Sequence, residues 1–314
     1  MNWAEFEKKA LEAGFARAYA VSPERFARWE KETLRTPDPR WENLKADPRE
    51  SMPDARCIAV LVWAYQPFCG FPEGEPTIDA YYLASQMAHR EAEKLAGMLR
   101  ESGYQADAAA PIPAKRALLR TGEARYGRNG LLSVDGFGTK ICLQLILTDA
   151  EFETADCMPE EEIDRRCGEC GLCKKECPVG AILPGSRIDT AKCLRAQSYS
   201  EPVPGQLRAL IGRSVLGCDI CQRVCPRNVL IGSIEPPEEV LEAIRLEKLL
   251  AGDTKALAAL IGSNYARPVR MQARAAILAA NLGRKDLLPQ LEKLCESRFE
   301  HVREHAKWAV ERLK

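Results

Sequence analysis

The chain predicts a multidomain α+β fold. Three observations carry that reading. Arg56–Tyr65 (RCIAVLVWAY) is rich in β-branched and aromatic residues, as a buried strand is. Apolar residues recur at helical spacing downstream of it, at Ala84, Ala88, Ala92, Leu95 and Leu99. A cysteine-dense middle then separates this α/β part from an alanine- and leucine-rich helical part beyond Pro236 and Pro237. With 314 residues the chain is long enough for two or three domains. The expected division is 1–150, 151–235 and 236–314.

In order, Asn2–Ala13 is expected to be a helix stopped by Gly14. The strand at Arg56–Tyr65 is broken by Pro67 and the CGFPEGEP segment. Asp79 caps a long helix that runs to about Ser102, with Gly103 as its stop. A short strand is expected in Tyr104–Ala110 and a helix in Lys115–Arg125. Leu131–Val134 and Lys140–Thr148, separated by DGFG, read as a hairpin. The acidic stretch Asp149–Asp164 reads as a solvated connection. In the C-terminal part, Leu287, Leu288, Leu291 and Leu294 form one stripe and Val302, Ala306, Ala309 and Leu313 another. Helix pairs with such small, alanine-rich faces fit a HEAT-like repeat.

Lysine plus arginine equals aspartate plus glutamate, 45 against 45, so no global charge excess advertises nucleic acid or disorder. The N-terminus is amphipathic and charged, unlike a secretory signal. The longest apolar run falls far short of the ~20 residues a membrane span needs. A soluble cytoplasmic protein without a membrane partner is expected. Residues 265–314 hold eleven Lys/Arg against six Asp/Glu. That basic tail reads either as a surface for RNA phosphates or as a bundle that caps the core.

The strongest signal lies in the middle. Eight cysteines fall as C-x2-C-x2-C-x3-C-P, a lone Cys193, then C-x2-C-x3-C-P. Two 4Fe–4S clusters need eight thiolates, and in two-cluster ferredoxins the fourth cysteine of each run serves the other cluster. Cys167, Cys170, Cys173 and Cys225 are thereby assigned to one cluster. Cys193, Cys218, Cys221 and Cys177 are assigned to the second. Zinc takes four ligands and has no need of paired runs, and a disulfide framework needs an oxidising compartment. The other five cysteines read as small apolar residues. GFGTK at Gly136 lacks the third glycine of a dinucleotide fingerprint, and no P-loop occurs. Of three histidines, none stands in an Asp-x-His-x-x-Gly arrangement, and His89 reads as a structural residue near the apolar face of the long helix.

At GCDICQRVCPRN, Gly217–Asn228, and CGECGLCKKECPVGAI, Cys167–Ile182, the chain resembles the epoxyqueuosine reductase family. DPRESMPDARCIAVLVWAY, YGRNGLL (Tyr126–Leu132) and the tail VREHAKWAVERL are similar to further family segments. The resemblance implies a nitroreductase-like α/β domain, a two-cluster ferredoxin-like domain and a HEAT-like tail. It implies a cobalamin lying between the α/β and cluster domains. Reduction of epoxyqueuosine in a tRNA anticodon loop, with a ferredoxin- or flavodoxin-like electron donor, is the implied activity. Arg40 falls at a corrinoid-contacting arginine of the family, and Arg128 and Asn129 on its loop lysine and neighbour. Gly217, Cys218 and Asp219 fall where the cluster domain faces the corrinoid.

One departure is marked. The family's proton-donating aspartate falls at Ala108 in an ungapped count, with Asp107 adjacent as the replacement candidate. Neighbouring side chains of a strand point to opposite faces, so Asp107 needs a one-residue slip or bulge to take the role. Ala114 and Lys115 replace a glutamate–arginine pair, and Ala196–Ser198 replaces the family's YLT segment, which faces tRNA. A second reading follows from the missing acid: an electron-transfer protein that reduces a corrinoid bound to a partner protein, with no tRNA substrate of its own.

Overall fold

The computed structural model describes residues 1–35, 41–157 and 162–314. They fall into two compact units. The first comprises residues 1–65, 84–127 and 131–168; the second comprises 66–83, 128–130 and 169–314. The units therefore cut the chain differently from linear boundaries at 150 and 235. Segments 66–83 and 128–130 belong with the C-terminal half.

The first unit opens with helix α1, Trp3–Glu12. Asn2 and Glu5 close a reciprocal capping box, their side chains accepting each other's backbone N–H at 2.9 and 3.0 Å. Gly14, φ +102°, turns the chain out, and a Cβ there would fall 2.9 Å from the Trp63 ring. Strand β1 (Arg17–Val21) and helix α2 (Ala27–Arg35) follow, neither expected from the sequence. β2 is Cys57–Ala64 and helix α3 is Tyr81–Glu101. Asp79 Oδ1 accepts the Tyr81 N–H at 3.0 Å and Gly103 ends α3 at φ +90°, so the expected stop and start hold.

The rest of this unit departs from expectation. β3 is only Ala106–Asp107. Helix α4, Ala114–Arg120, stops before Gly122, whose φ of +76° no helix continues. Residues Ala124–Tyr126 form β4 instead of helix. β5 (Leu132–Val134) pairs with β4, while β6 (Ile141–Thr148) pairs with β2 and β3. The expected 131–148 hairpin is thus replaced by two separate pairings. The reason is burial. β6 is apolar at most positions and sits inside a four-stranded antiparallel sheet ordered β1-β2-β6-β3, where β2 pairs with it along all eight residues, which the three-residue β5 could not. Ile58, Val60, Val62, Leu145 and Leu147 join Ile112 and Leu118 in one core. Ala59, Leu61 and Ile146 are fully buried too, so both faces of the central strands are covered.

The acidic stretch is solvated at most of its described residues, as expected, but it is anchored at several points. Phe152 is buried against Trp3 and Phe6, Asp156 accepts from Ser22, and Asp164 is buried. His89 is exposed on α3 instead of lying at its apolar face.

The second unit contains seven of the eight cysteines, from Cys170 on, and the C-terminal helices, while Cys167 falls in the first unit. Its helices are α5 (Leu172–Glu176), α6 (Leu194–Gln197), α7 (Gly205–Arg208) and α8 (Ile220–Arg223). These are followed by α9 (Glu238–Ala243), α10 (Leu246–Ala251), α11 (Lys255–Ile261), α12 (Pro268–Asn281), α13 (Leu288–Leu294) and α14 (Glu300–Leu313). A two-stranded ribbon, β7 (Ile182–Leu183) with β8 (Arg187–Ile188), lies between α5 and α6. One core joins Ile78, Tyr82, Val215 and Leu216 to Leu246, Leu249, Met271, Ala275 and Leu291. Both expected apolar stripes face inward: Val302, Ala306, Ala309, Leu313, Leu287 and Leu291 are all buried. Among the described residues no helix is long and apolar enough to cross a membrane.

Candidate iron–sulfur and cofactor site

The cysteine segment is built from very short elements, each ending at or beside a cysteine. Gly171, φ +63°, starts α5, which carries Cys173, and Cys177 closes it. Cys193 stands at the N-cap of α6 and Cys225 at the N-cap of a 3₁₀ turn, Pro226–Asn228. Cys221 lies on α8, which packs against α5. Cys167 ends a 3₁₀ turn, Arg165–Cys167, whose Arg166 N–H is capped by Asp164. All eight cysteines are partly exposed. Of the other five, expected to be small buried apolar residues, Cys57 and Cys142 are buried and Cys295 partly so, but Cys69 and Cys157 are exposed.

Electrostatics gathers five of these thiols. Burial pushes the Cys221 thiol up to about 12, and nearby Cys218, Cys193, Cys173 and Cys177 raise it further. Cys218 is likewise raised, first by burial and then by Asp219, Cys193 and Cys177, against an N–H from Ile220 that lowers it. Cys221 thus lies near Cys173 as well as near Cys177, Cys193 and Cys218, the three assigned with it to one cluster from spacing. Thiols held so close repel as thiolates unless a cation neutralises them, and bound metal displaces their protons. Cys177 Sγ also accepts the Ala181 N–H at 3.4 Å, a bond that favours a metal-bound thiolate. Among the described residues no three His, Cys, Asp or Glu side chains converge as ligands of a single ion. The donor set fits iron–sulfur chemistry: soft sulfur ligands, backbone N–H groups on sulfur, and short turns between ligands.

Around this segment the backbone is pinned by groups that no spacing rule reveals. Ser198, buried, donates to the Leu194 carbonyl at 3.0 Å and accepts the Gly217 N–H at 3.2 Å. It thereby ties α6, just after Cys193, to the residue before Cys218. Gly217 has φ +85°, and a Cβ there would come within 3.0 Å of the Tyr82 ring. Asn228 Nδ2 donates to the Gln222 carbonyl at 2.8 Å and fixes the exit from α8.

Of the expected cofactor residues, Asn129, Gly217 and Asp219 lie at the same short helix. Asn129, buried, donates from Nδ2 to the Cys221 carbonyl at 3.4 Å. Asp219 stands at the N-cap of α8, its carbonyl accepting from Gln222 and Arg223, and Gly217 lies two residues earlier. Arg128 adjoins Asn129 in the same unit, and Gly130 approaches Ile188 so closely that a Cβ would fall 2.9 Å from its Cγ1. Arg40 lies outside the described residues. Asp107 sits on β3 with Oδ1 accepting the Ala109 N–H at 2.8 Å, and Ala108 is buried. Lys115 is exposed, 5.9 Å from the Tyr126 ring centroid. Part of the basic tail is spoken for: Arg270 pairs with Glu201, Lys314 with Glu292, and Arg284 with Asp286 and Glu247.

Residues 166–228 match the family model described as a 4Fe-4S double cluster binding domain, which contains all eight cysteines. The chain is 30% identical over 205 residues to the epoxyqueuosine reductase of Lactococcus garvieae, covering 62% of this chain and 56% of that one. It is 29% identical over 251 residues to the epoxyqueuosine reductase of Pseudomonas aeruginosa, covering 74% of this chain and 67% of that one. The alignments therefore span between just over half and about two thirds of these relatives. A solved epoxyqueuosine reductase, crystallised with an epoxyqueuosine-modified tRNA-Tyr stem loop, superposes with a TM-score of 0.79 at 20% identity. That superposition covers 99% of this chain and 89% of that one, and it speaks to the fold.

Proposed function

We propose that the chain is a member of the epoxyqueuosine reductase family and that it reduces epoxyqueuosine to queuosine in tRNA. The carrying observation is the double-cluster block of residues 166–228 set in a chain aligned with relatives of that name. Opening an epoxide to an alkene consumes two electrons and two protons and releases water. Two one-electron clusters, refilled by a ferredoxin- or flavodoxin-like donor, match that stoichiometry. Cys167, Cys170, Cys173 and Cys225 hold one cluster and Cys177, Cys193, Cys218 and Cys221 the other.

We assign cobalamin as the second cofactor. Bound cobalamin supplies a strongly reducing cobalt for the two-electron step. Arg128, Asn129 and Asp219 present donors and an acceptor suited to the amide rim of a corrin, with Gly217 leaving room beside them and Arg40 as a further contact. Asp107 is the proton donor in this reading, reorienting from the Ala109 N–H when substrate is bound. The HEAT-like helices carry the tRNA, whose unpaired anticodon-loop base can be splayed into a pocket. This substrate places the protein in the cytoplasm.

The reconstituted protein is expected to convert epoxyqueuosine in a tRNA stem loop to queuosine, measured by mass spectrometry of the nucleosides. No conversion beside an active positive control removes the substrate. A second reading is favoured by the buried methyl of Ala108, which has no proton to give. In it the protein only reduces a corrinoid held by a partner protein. Stoichiometric cobalamin binding by the isolated chain supports the first reading; binding of a corrinoid protein alone supports the second.

A further inference from the structure

Arg274 is 3% exposed, on α12, and its Nη2 has no hydrogen-bond partner among the described residues. The arginines around it are each answered by a carboxylate. Arg195 pairs with Asp79 at 3.4 Å, Arg270 with Glu201 at 2.7 Å, and Arg208 with Glu304. Among the described residues Arg274 has no such counterion. Its named electrostatic neighbours are Arg270, the phenols of Tyr82 and Tyr199, and the ring of His305, none of which is an anion. Those phenols do not neutralise it: Tyr82 is held well above its ordinary pKa by burial, and its hydroxyl bonds that of Tyr199 at 2.9 Å. A buried cation without a counterion is costly and calls for an explanation.

The packing names one. Ile277, one turn along the same face of α12, shares an apolar group with Leu194, the residue after Cys193. Cys218 packs on that same group, as does Val179, two residues after Cys177. Tyr82, beside Arg274, presses on Gly217, the residue before Cys218. Through Ile277 and Tyr82 the packing thus connects Arg274 to the loops that carry Cys177, Cys193 and Cys218. A 4Fe–4S cluster with four thiolates is anionic in both redox states, and more so when reduced.

We propose that Arg274 is the charge partner of the cluster held by Cys177, Cys193, Cys218 and Cys221, a positioning residue that raises that cluster's reduction potential relative to its neighbour. This rests on the ligand assignment above. It directs electrons to that cluster and makes its reduced form the stabilised one. The same logic explains why the arginine survives in a site where an apolar residue would pack without penalty.

The test is a potentiometric EPR titration of the anaerobically purified, cluster-loaded protein. Arg274→Met is expected to lower the reduction equilibrium constant of one cluster about tenfold, ~59 mV for one electron. Iron content and the other midpoint are expected to stay at wild-type values. Arg274→Lys, which keeps the charge, is expected to restore most of the shift; should the methionine variant not fold, Arg274→Gln carries the same expectation as methionine. Unmoved midpoints, equal movement of both clusters, or a lysine variant that shifts as far as the uncharged one overturns the proposal. A wild-type protein with fewer than two clusters strikes the ligand assignment itself.

Discussion

Strand β2 and helix α8 show two ways of holding a chain in place. β2 has eight residues, hydrogen-bonded partners on both edges and six buried side chains in succession. Each fully buried Ile, Val or Leu contributes roughly 1.5–3 kcal/mol, so this strand is stable on its own unit's packing. α8 has four residues, and α5 and α6 have five and four. Helices that short do not survive unaided, because nucleation costs more than one or two backbone bonds return. Their order comes from sulfur ligation and from a few buried polar ties such as Ser198 and Asn228. A core is redundant; a ligand set is not.

Stripping iron should give the widest separation between the regions. After anaerobic chelation, amides of residues 170–228 are expected to exchange hydrogen at least ~100-fold faster, while those of β2 and β6 stay protected. Equal protection of both regions would place the order of α5 and α8 in packing instead. Cys193→Ala is expected next: iron falls from about eight to about four atoms per chain and turnover is lost, with the far-ultraviolet spectrum of the sheet retained.

Acid should act on the helical region alone. Burial, then Arg208, pushes the pKa of His305 down to about 4, with Glu304 raising it and Arg274 lowering it. The neutral ring accepts the Val203 N–H at 3.1 Å. The unfolded chain, with a histidine pKa of about 6.5, takes up the proton first. The neutral site's stability is full above that pH and is lost as pH falls toward 4, a drop of roughly 3 kcal/mol. Denaturation of wild type and His305→Gln between pH 7 and 5 measures it; parallel curves would reject the role.

Smaller still is a matched glycine pair. Gly14 and Gly217 both have positive φ and both would put a Cβ within 3.0 Å of an aromatic ring. Substitution by alanine should cost each site about 1–3 kcal/mol. Only Gly217→Ala should also lower iron content, since only Gly217 adjoins a ligand. Ser198→Ala, which frees the Gly217 N–H, is expected to cost about 1 kcal/mol and to speed iron loss slightly.

The same contrast explains what could be read from residues alone. The cysteine block was legible because its information is local: eight residue types at fixed intervals. α1 and α3 were legible because Asn2, Gly14, Asp79 and Gly103 act on their own neighbours. The pairing of β5 with β4 was not, because DGFG looks the same whether or not the flanking strands meet. Arg274 and Arg284 were counted as tail charge facing solvent, but one is buried and the other is paired. Sign is visible in sequence; depth is not. Asn129 and Ser198 gave no signal for the carbonyl and N–H they pin, since those partners lie 92 and 19 residues away.

The two compact units are interleaved along the polypeptide, three stretches of each alternating from one end to the other. Neither can be excised at a single joint or passed to another gene as one block. A truncation that removes the C-terminal half leaves 66–83 and 128–130 stranded without their neighbours. Inheritance of the electron-carrying part is thereby bound to inheritance of the sheet.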